Sequence, residues 1–347
     1  MTISLSLLQL GWSPFFQQQL SLEEWETHNA GRVVGQHRSN IDVMTEDGKK
    51  TLPLTPGMPL LTVGDWVLLD GDGRFHRVLE RLSLFSRRAA GSRVSEQLIA
   101  ANIDMVFVVC SLNDDFNLNR IERYLALAGD AGVEPVVVLT KSDCCDDPHA
   151  YVRQAQSLNA LLMVEAVNAL DPTSTKALKS WCGTGKTVTF LGSSGVGKST
   201  LINTLLGRAT QATAAIRDDD SKGRHTTTAR SLHFIPDGGI LLDTPGMREL
   251  QLADCEQGVN KAFAEIRDLA AQCRFTDCQH QGEPGCSVRA AIQSGILDER
   301  RLSNYQKLMR EQALNRASLA EKRARDRNLS RYYRSVQSAA MQRKKGR

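Results

Sequence analysis

The chain has 347 residues, enough for two or three domains with ample core at about 100–200 residues each. Its 43 Lys and Arg oppose 39 Asp and Glu, but residues 298–347 alone hold 15 basic and 5 acidic residues, so a tail of +10 follows a body near −6. No apolar run approaches the ~20 residues of a membrane-spanning helix, and residues 1–10 lack the basic start and cleavage site of a signal peptide, which predicts no membrane association and a cytoplasmic location.

In chain order, short apolar segments at 31–35, 41–44, 51–54, 65–69 and 75–79 alternate with the turn pairs Asp47-Gly48, Pro56-Gly57 and Asp70-Gly71. Five strands at this spacing predict a small β-barrel with OB-fold topology over residues 1–88. Trp66 and Phe75 are the aromatics within its strands, and both are expected in the core. RNA contacts by this barrel would then lean on Arg32, Arg38, Lys49 and Lys50. Residues 86–93 lose the strand pattern and are expected to form a basic linker.

Near-continuous apolar runs follow at 105–110, 136–139, 161–164, 188–191 and 239–242, alternating with helical segments such as 118–128. Such runs belong to a parallel sheet covered on both faces, so residues 97–252 are expected to form an α/β nucleotide-binding domain. Helix is predicted for 256–272 and again for 290–340, with a disordered end beyond 341. Cys273, Cys278 and Cys286 cluster with His280, and in a reducing compartment that set points to metal ahead of disulfides. The basic tail fits a polyanionic partner, nucleic acid first, with a solvated tail as the alternative.

The chemistry is carried by four short motifs. Gly192-Ser193-Ser194-Gly195-Val196-Gly197-Lys198-Ser199-Thr200 satisfies the phosphate-loop pattern, with a predicted strand before it and a helix after it. Lys198 is expected on the β- and γ-phosphates, and Ser199 on Mg²⁺. Asp243-Thr244-Pro245-Gly246 ends a buried strand, where Asp243 can hold Mg²⁺ and Gly246 can approach the γ-phosphate. Between them, Gly223-Arg224-His225-Thr226-Thr227-Thr228 reads as a loop whose threonines could close on metal and phosphate, with no basis for choosing among the three. Thr140-Lys141-Ser142-Asp143 is the base reader: a carboxylate at Asp143 accepts two hydrogen bonds that guanine offers and adenine does not. Thr140 stands where Asn is usual, and its loss of an amide is expected to loosen the tie between this motif and the phosphate loop.

The base reader precedes the phosphate loop, the reverse of the ordinary order. Together these motifs resemble the circularly permuted GTPases, and specifically the ribosome small subunit-dependent GTPase A family. The resemblance implies an N-terminal OB-fold, a permuted P-loop GTPase domain and a C-terminal α-helical zinc-binding domain, here 1–88, 97–252 and 253–347. It implies one structural Zn²⁺ on Cys273, Cys278, His280 and Cys286, matching the family's Cys-x4-Cys-x-His-x5-Cys pattern. It implies Mg²⁺ with GTP, and GTP hydrolysis stimulated by the small ribosomal subunit and its rRNA during late maturation of that subunit. A monomer is expected. Permutation sets Asp243–Gly246 just ahead of the zinc domain, so motion there is expected to pass into that module. Met247 occupies the place of the water-orienting Gln, and His225 is the candidate for that missing group. In the region where the family places a further guanine-contacting motif, Ala166-Val167-Asn168-Ala169 matches poorly. Two rival readings are an RNA-binding assembly factor with a structural, non-hydrolysing GTP site, and a P-loop ATPase or kinase of metabolism.

Overall fold

The computed structural model describes residues 5–88, 96–113, 115–207, 231–236, 238–243, 247 and 255–316. Two short helices come first, α1 (Pro14–Gln17) and α2 (Leu22–Thr27). Ser21 and Glu24 form a reciprocal capping box that satisfies the first turn of α2. Five antiparallel strands come next: β1 (Asn29–Gln36), β2 (Asn40–Thr45), β3 (Gly48–Pro53), β4 (Trp66–Leu69) and β5 (Phe75–Val78). β1 pairs with β2 on one side and β4 on the other, while β2 carries β3 and β4 carries β5. A bulge between Val33 and Gly35 bends β1. The product is the expected five-stranded, partly open barrel, cored by Val33, Ile41, Val43, Val67 and Leu69.

One expectation about the barrel fails. Arg32 is 1% exposed and is therefore no RNA contact. Its guanidinium donates to the carbonyls of Leu10 at 2.6 Å and Asn102 at 2.9 Å, and lies 5.8 Å from the Trp66 ring centroid. Burial pushes its pKa down to about 10, against the pull of Asp104 and Asp65. The cause is the segment ahead of the barrel: Leu10 and Phe16 pack with Trp66 and Leu68 and cover the second face of the strands. Trp66 is buried as expected, and Phe75 is half-buried against the barrel core.

The predicted linker is corrected too. Ser86 and Arg87 continue β6 (Leu84–Arg88), which forms a hairpin with β7 (Glu96–Ala101). Phe85 and Ile99 anchor this hairpin in the core, while Arg87 donates to Gln97 across it at 3.1 Å.

The nucleotide domain runs β8 (Met105–Ser111), α3 (Leu118–Ala131), β9 (Glu134–Thr140), α4 (Pro148–Gln156), β10 (Met163–Ala166), α5 (Lys176–Lys179), β11 (Thr187–Gly192), α6 (Lys198–Leu206), β12 (Ser231–Phe234) and β13 (Ile240–Asp243). Strands β10-β9-β8-β11-β13 are parallel, and β12 is antiparallel at the end. β10 starts two residues later than predicted because Leu161, 89% exposed, lies in the preceding turn. β12 then pairs with β1 at Ser231 and Gly35, so barrel and nucleotide domain share one eleven-stranded sheet.

Four helices close the described chain: α7 (Glu256–Ala262), α8 (Ala264–Ala270), α9 (Ser287–Gln293) and α10 (Glu299–Arg316). The single helix predicted for 256–272 breaks at buried Phe263, and the long one from 290 breaks at Gly295, which adopts φ +75°. α7 crosses α3 so closely that a Cβ on Gly258 would sit 1.9 Å from the Ala126 carbonyl oxygen. Val259, Phe263, Leu302 and Leu308 share one core with Ala126, Leu127 and Ala131 of α3.

Polar bonds reinforce this seam. Glu122 of α3, 1% exposed, accepts from Arg300 at 3.0 Å, from Arg301 at 2.9 Å and from Asn304. Arg301 also binds Glu265 at 2.6 Å and lies 5.0 Å from the Phe263 ring centroid.

Candidate nucleotide site and metal centre

The carboxyl ends of parallel strands are where open α/β sheets bind ligands. Two of the predicted motifs leave this sheet there, on either side of β8: Gly192 aligns with Val109, and Thr140 aligns with Ser111. Gly192 is needed for close approach, since a Cβ would meet the Val109 carbonyl oxygen at 2.4 Å. Gly195 and Gly197 adopt φ +79° and +92°, which turns the loop over itself and into α6. Lys198 is 7% exposed, with its ammonium donating to the carbonyls of Gly192 at 2.7 Å and of Ser193. Ser199 and Thr200 occupy the first turn of α6, where backbone N–H groups favour anions.

The expected loosening at Thr140 does not occur. Its hydroxyl, fully buried, donates to the Val196 carbonyl at 2.6 Å, so a hydroxyl makes the tie to the phosphate loop. Lys141 follows at φ +58°, an uncommon conformation for a residue other than glycine. The turn Ser142–Cys144 then places Asp143 at the surface.

The loop after β10 also belongs here, although its sequence matches poorly. Val167 accepts from the Ser142 backbone N–H at 3.3 Å and donates its own N–H to Leu139 at 2.8 Å. Thr204 of α6 donates to the Ala169 carbonyl at 2.7 Å. These contacts tie residues 167–169 to the base-reading turn and to α6, and the backbone atoms they use leave no sequence signature.

Asp243 ends β13, the parallel neighbour of β11, and is half-buried. Met247 is 3% exposed and packs with Leu191, Leu242 and Val259, so it cannot orient water. His225, Thr226, Thr227, Thr228 and Gly246 lie outside the described residues, as does the tail from 317.

The second centre lies between α8 and α9. The ligand atoms of Cys273, Cys278, His280 and Cys286 fall within 4.8 Å of one another. Cys273 Sγ is 3.9 Å from Cys286 Sγ and 3.7 Å from His280 Nδ1, which is 3.4 Å from Cys286 Sγ. A tetrahedral zinc with bonds of about 2.3 Å to sulfur and about 2.0 Å to nitrogen requires separations of about 3.8 and 3.5 Å. These edges fit. His280 takes φ +59°, and its carbonyl accepts from Arg289 at 2.7 Å. Gly285 takes φ +78° against Arg274, which closes the knuckle. Glu283 accepts from the N–H groups of Gln279 at 2.8 Å and Gln281 at 2.7 Å. Burial pushes the His280 imidazole below its usual pKa, favouring the neutral form that ligates metals. Burial opposes ionisation of Cys273, but the backbone N–H groups of Val288 and Ser287, together with the Cys286 and Cys278 thiols, pull its pKa down.

Comparison with known proteins agrees with this geometry. A family model described as RsgA GTPase matches residues 78–253, and an ABC transporter model matches residues 176–331, a span that includes the phosphate loop. A protein of Vibrio vulnificus named small ribosomal subunit biogenesis GTPase RsgA 2 is 60% identical over 96% of this chain and 95% of its own length. One of Mesorhizobium japonicum, named small ribosomal subunit biogenesis GTPase RsgA, is 48% identical over 89% and 91%. Among solved structures, YjeQ from Thermotoga maritima matches with a TM-score of 0.61 and 28% identity, covering 82% of this chain and 98% of its own. YloQ, described as a circularly permuted GTPase, shares the fold with a TM-score of 0.57 at 21% identity, over 84% and 96%.

Proposed function

This chain belongs to the family of RsgA GTPases, and from that membership we propose that it hydrolyses GTP to GDP and phosphate on the small ribosomal subunit, late in the maturation of that subunit. The observation that carries the guanine part of this reading is the Thr140–Val196 hydrogen bond, which joins the base-reading turn to the phosphate loop. The relatives' names supply the subunit, and the basic stretch 298–347 is suited to its rRNA.

In this reading the protein acts as a cytoplasmic monomer of three parts: the barrel over 1–88, the permuted GTPase domain over 97–252 and the zinc domain over 253–347. No helix among the described residues is long and apolar enough to cross a membrane. The backbone N–H groups of residues 192–200 and the Lys198 ammonium bind the phosphates and offset charge that builds on them. Asp143 accepts hydrogen bonds from guanine, and Lys141 covers the purine face. Ser199 and Asp243 would hold Mg²⁺, which supplies Lewis-acid charge to the phosphates when bound. Gly246 approaches the γ-phosphate, and one of Thr226, Thr227 and Thr228 closes over it. With Met247 in the core, His225 orients or deprotonates the attacking water when the subunit is bound. Cys273, Cys278, His280 and Cys286 would hold one structural Zn²⁺, leaving no open position for catalysis.

Replacing Asp143 by Asn tests the base assignment. Affinity should fall about a hundredfold for GTP and rise for xanthosine triphosphate, because the amide presents a donor to guanine's ring N–H. Unchanged GTP affinity in this variant would remove Asp143 as the guanine reader.

A further inference from the structure

Away from the nucleotide site, a cleft of about 290 Å³ opens between the zinc knuckle and α10. Tyr305 and Met309 wall it, and Gln279, Gln281, Gln306 and Arg310 line its polar side. Ligand pockets run to about 300–1,000 Å³, so this one has room for a single ring system and not an extended ligand.

Both sides of the cleft are held in place. Glu283 clamps the knuckle through the backbone N–H groups of Gln279 and Gln281, next to ligand residues Cys278 and His280. Tyr305 is fixed from behind by Phe263, with ring centroids 5.6 Å apart. Gln306 bridges the cleft by donating to the Gln279 carbonyl at 3.2 Å, and its own amide oxygen accepts from Arg310 at 3.5 Å.

We propose that this cleft takes one unpaired base of a single-stranded RNA segment. The Gln281 amide offers both donor and acceptor, the amides of Gln279 and Gln306 keep further hydrogen-bonding capacity beside their own bonds, and Tyr305 and Met309 add an aromatic ring and a thioether for a base to pack on. Arg310 stands at the exposed rim, where a phosphate on either side of the base would lie. The chain beyond α10 favours a polyanion: residues 317–347 hold ten Lys and Arg against two Asp and Glu. A neutral or basic protein segment would gain little from that charge. The inference rests on the small-subunit reading above and adds to it a base-reading contact in the zinc module.

The test measures binding of labelled hexaribonucleotides A6, U6 and C6, and of an abasic ribose-phosphate hexamer, to the full zinc-loaded chain at fixed salt. The wild type should bind at least one base-bearing hexamer about tenfold more tightly than the abasic one. Gln281→Ala with Gln306→Ala should erase that preference while abasic binding and zinc content stay unchanged. Arg310→Glu, at an exposed position, should weaken all four hexamers. Equal wild-type affinity for abasic and base-bearing hexamers overturns the proposal, as does a preference that survives the double substitution or binding that ignores Arg310→Glu. Small-subunit stimulation of wild-type GTP turnover is measured alongside. If stimulation is absent the subunit reading falls, and if it is present without a base preference only the cleft falls.

Discussion

The hydroxyl of Thr140 donates to the carbonyl of Val196 at 2.6 Å, and this contact joins the end of β9 to the phosphate loop across β8. Thr140→Val keeps the shape and leaves that carbonyl without its donor. GTP affinity should fall roughly tenfold, the consequence of about 1–1.5 kcal/mol. Thr140→Ser should restore most of it, since the hydroxyl is what matters. The check is titration with a fluorescent GTP analogue, and equal affinities for Val and Ser would make the bond irrelevant to binding.

The knuckle predicts metal dependence of a defined part of the chain. Cys286 serves both as a ligand candidate and as the cap of α9, its sulfur accepting from the Arg289 N–H at 3.4 Å. Cys286→Ser should release the zinc and loosen α8, α9 and the start of α10 while the parallel sheet persists. Elemental analysis with hydrogen exchange reads both effects. A variant with full zinc and native protection would contradict the ligand set.

Glu122 is expected to be a stability determinant. It lies buried between Arg300 and Arg301 at 3.0 and 2.9 Å, so Glu122→Ala removes the buried carboxylate that they share with Asn304 and leaves Arg301 to Glu265 and Arg300 to the exposed Asp298. The expected loss is about 3–5 kcal/mol, read as a lower urea midpoint. The same network ties the C-terminal module to α3, a contact with the nucleotide domain separate from the chain connection after β13.

A pH effect arises from Asp42 in the barrel. Burial raises its pKa, but Lys49 at 2.9 Å, Thr51 at 2.7 Å and His37 at 3.1 Å hold it at about 2, against 3.8 for the free side chain. A depressed folded-state pKa contributes stability that is complete above the unfolded value and is lost as pH falls toward the folded one. The stability difference between wild type and Asp42→Asn should therefore be constant above about pH 5, at about 1–2 kcal/mol, and shrink between about pH 4 and 2. A difference that stays constant down to pH 2 would remove the ion pair as its cause.

Glycine and lysine spacing marks the phosphate loop at 192–200, and the four candidate metal ligands appear as a compact Cys/His set, so both centres are legible in the sequence. Burial of Arg32 is not, because the segment that covers it lies some twenty residues earlier and shows no periodicity. Nor is the pairing of Gly35 with Ser231, which fuses barrel and nucleotide sheet. Thr140 misleads in the sequence because only the fold reveals that a hydroxyl is long enough to reach Val196. The loop at 167–169 makes its contacts with the base-reading turn and α6 through backbone atoms, which a sequence pattern does not show.

The central claim is subunit-stimulated GTP hydrolysis, and phosphate release from GTP and from ATP, each with and without purified small ribosomal subunits, tests it directly. Slow release from GTP alone, strong acceleration by the subunits and no response with ATP is the predicted pattern. Release from GTP that the subunits leave at its basal rate, or equal turnover of ATP, would contradict it.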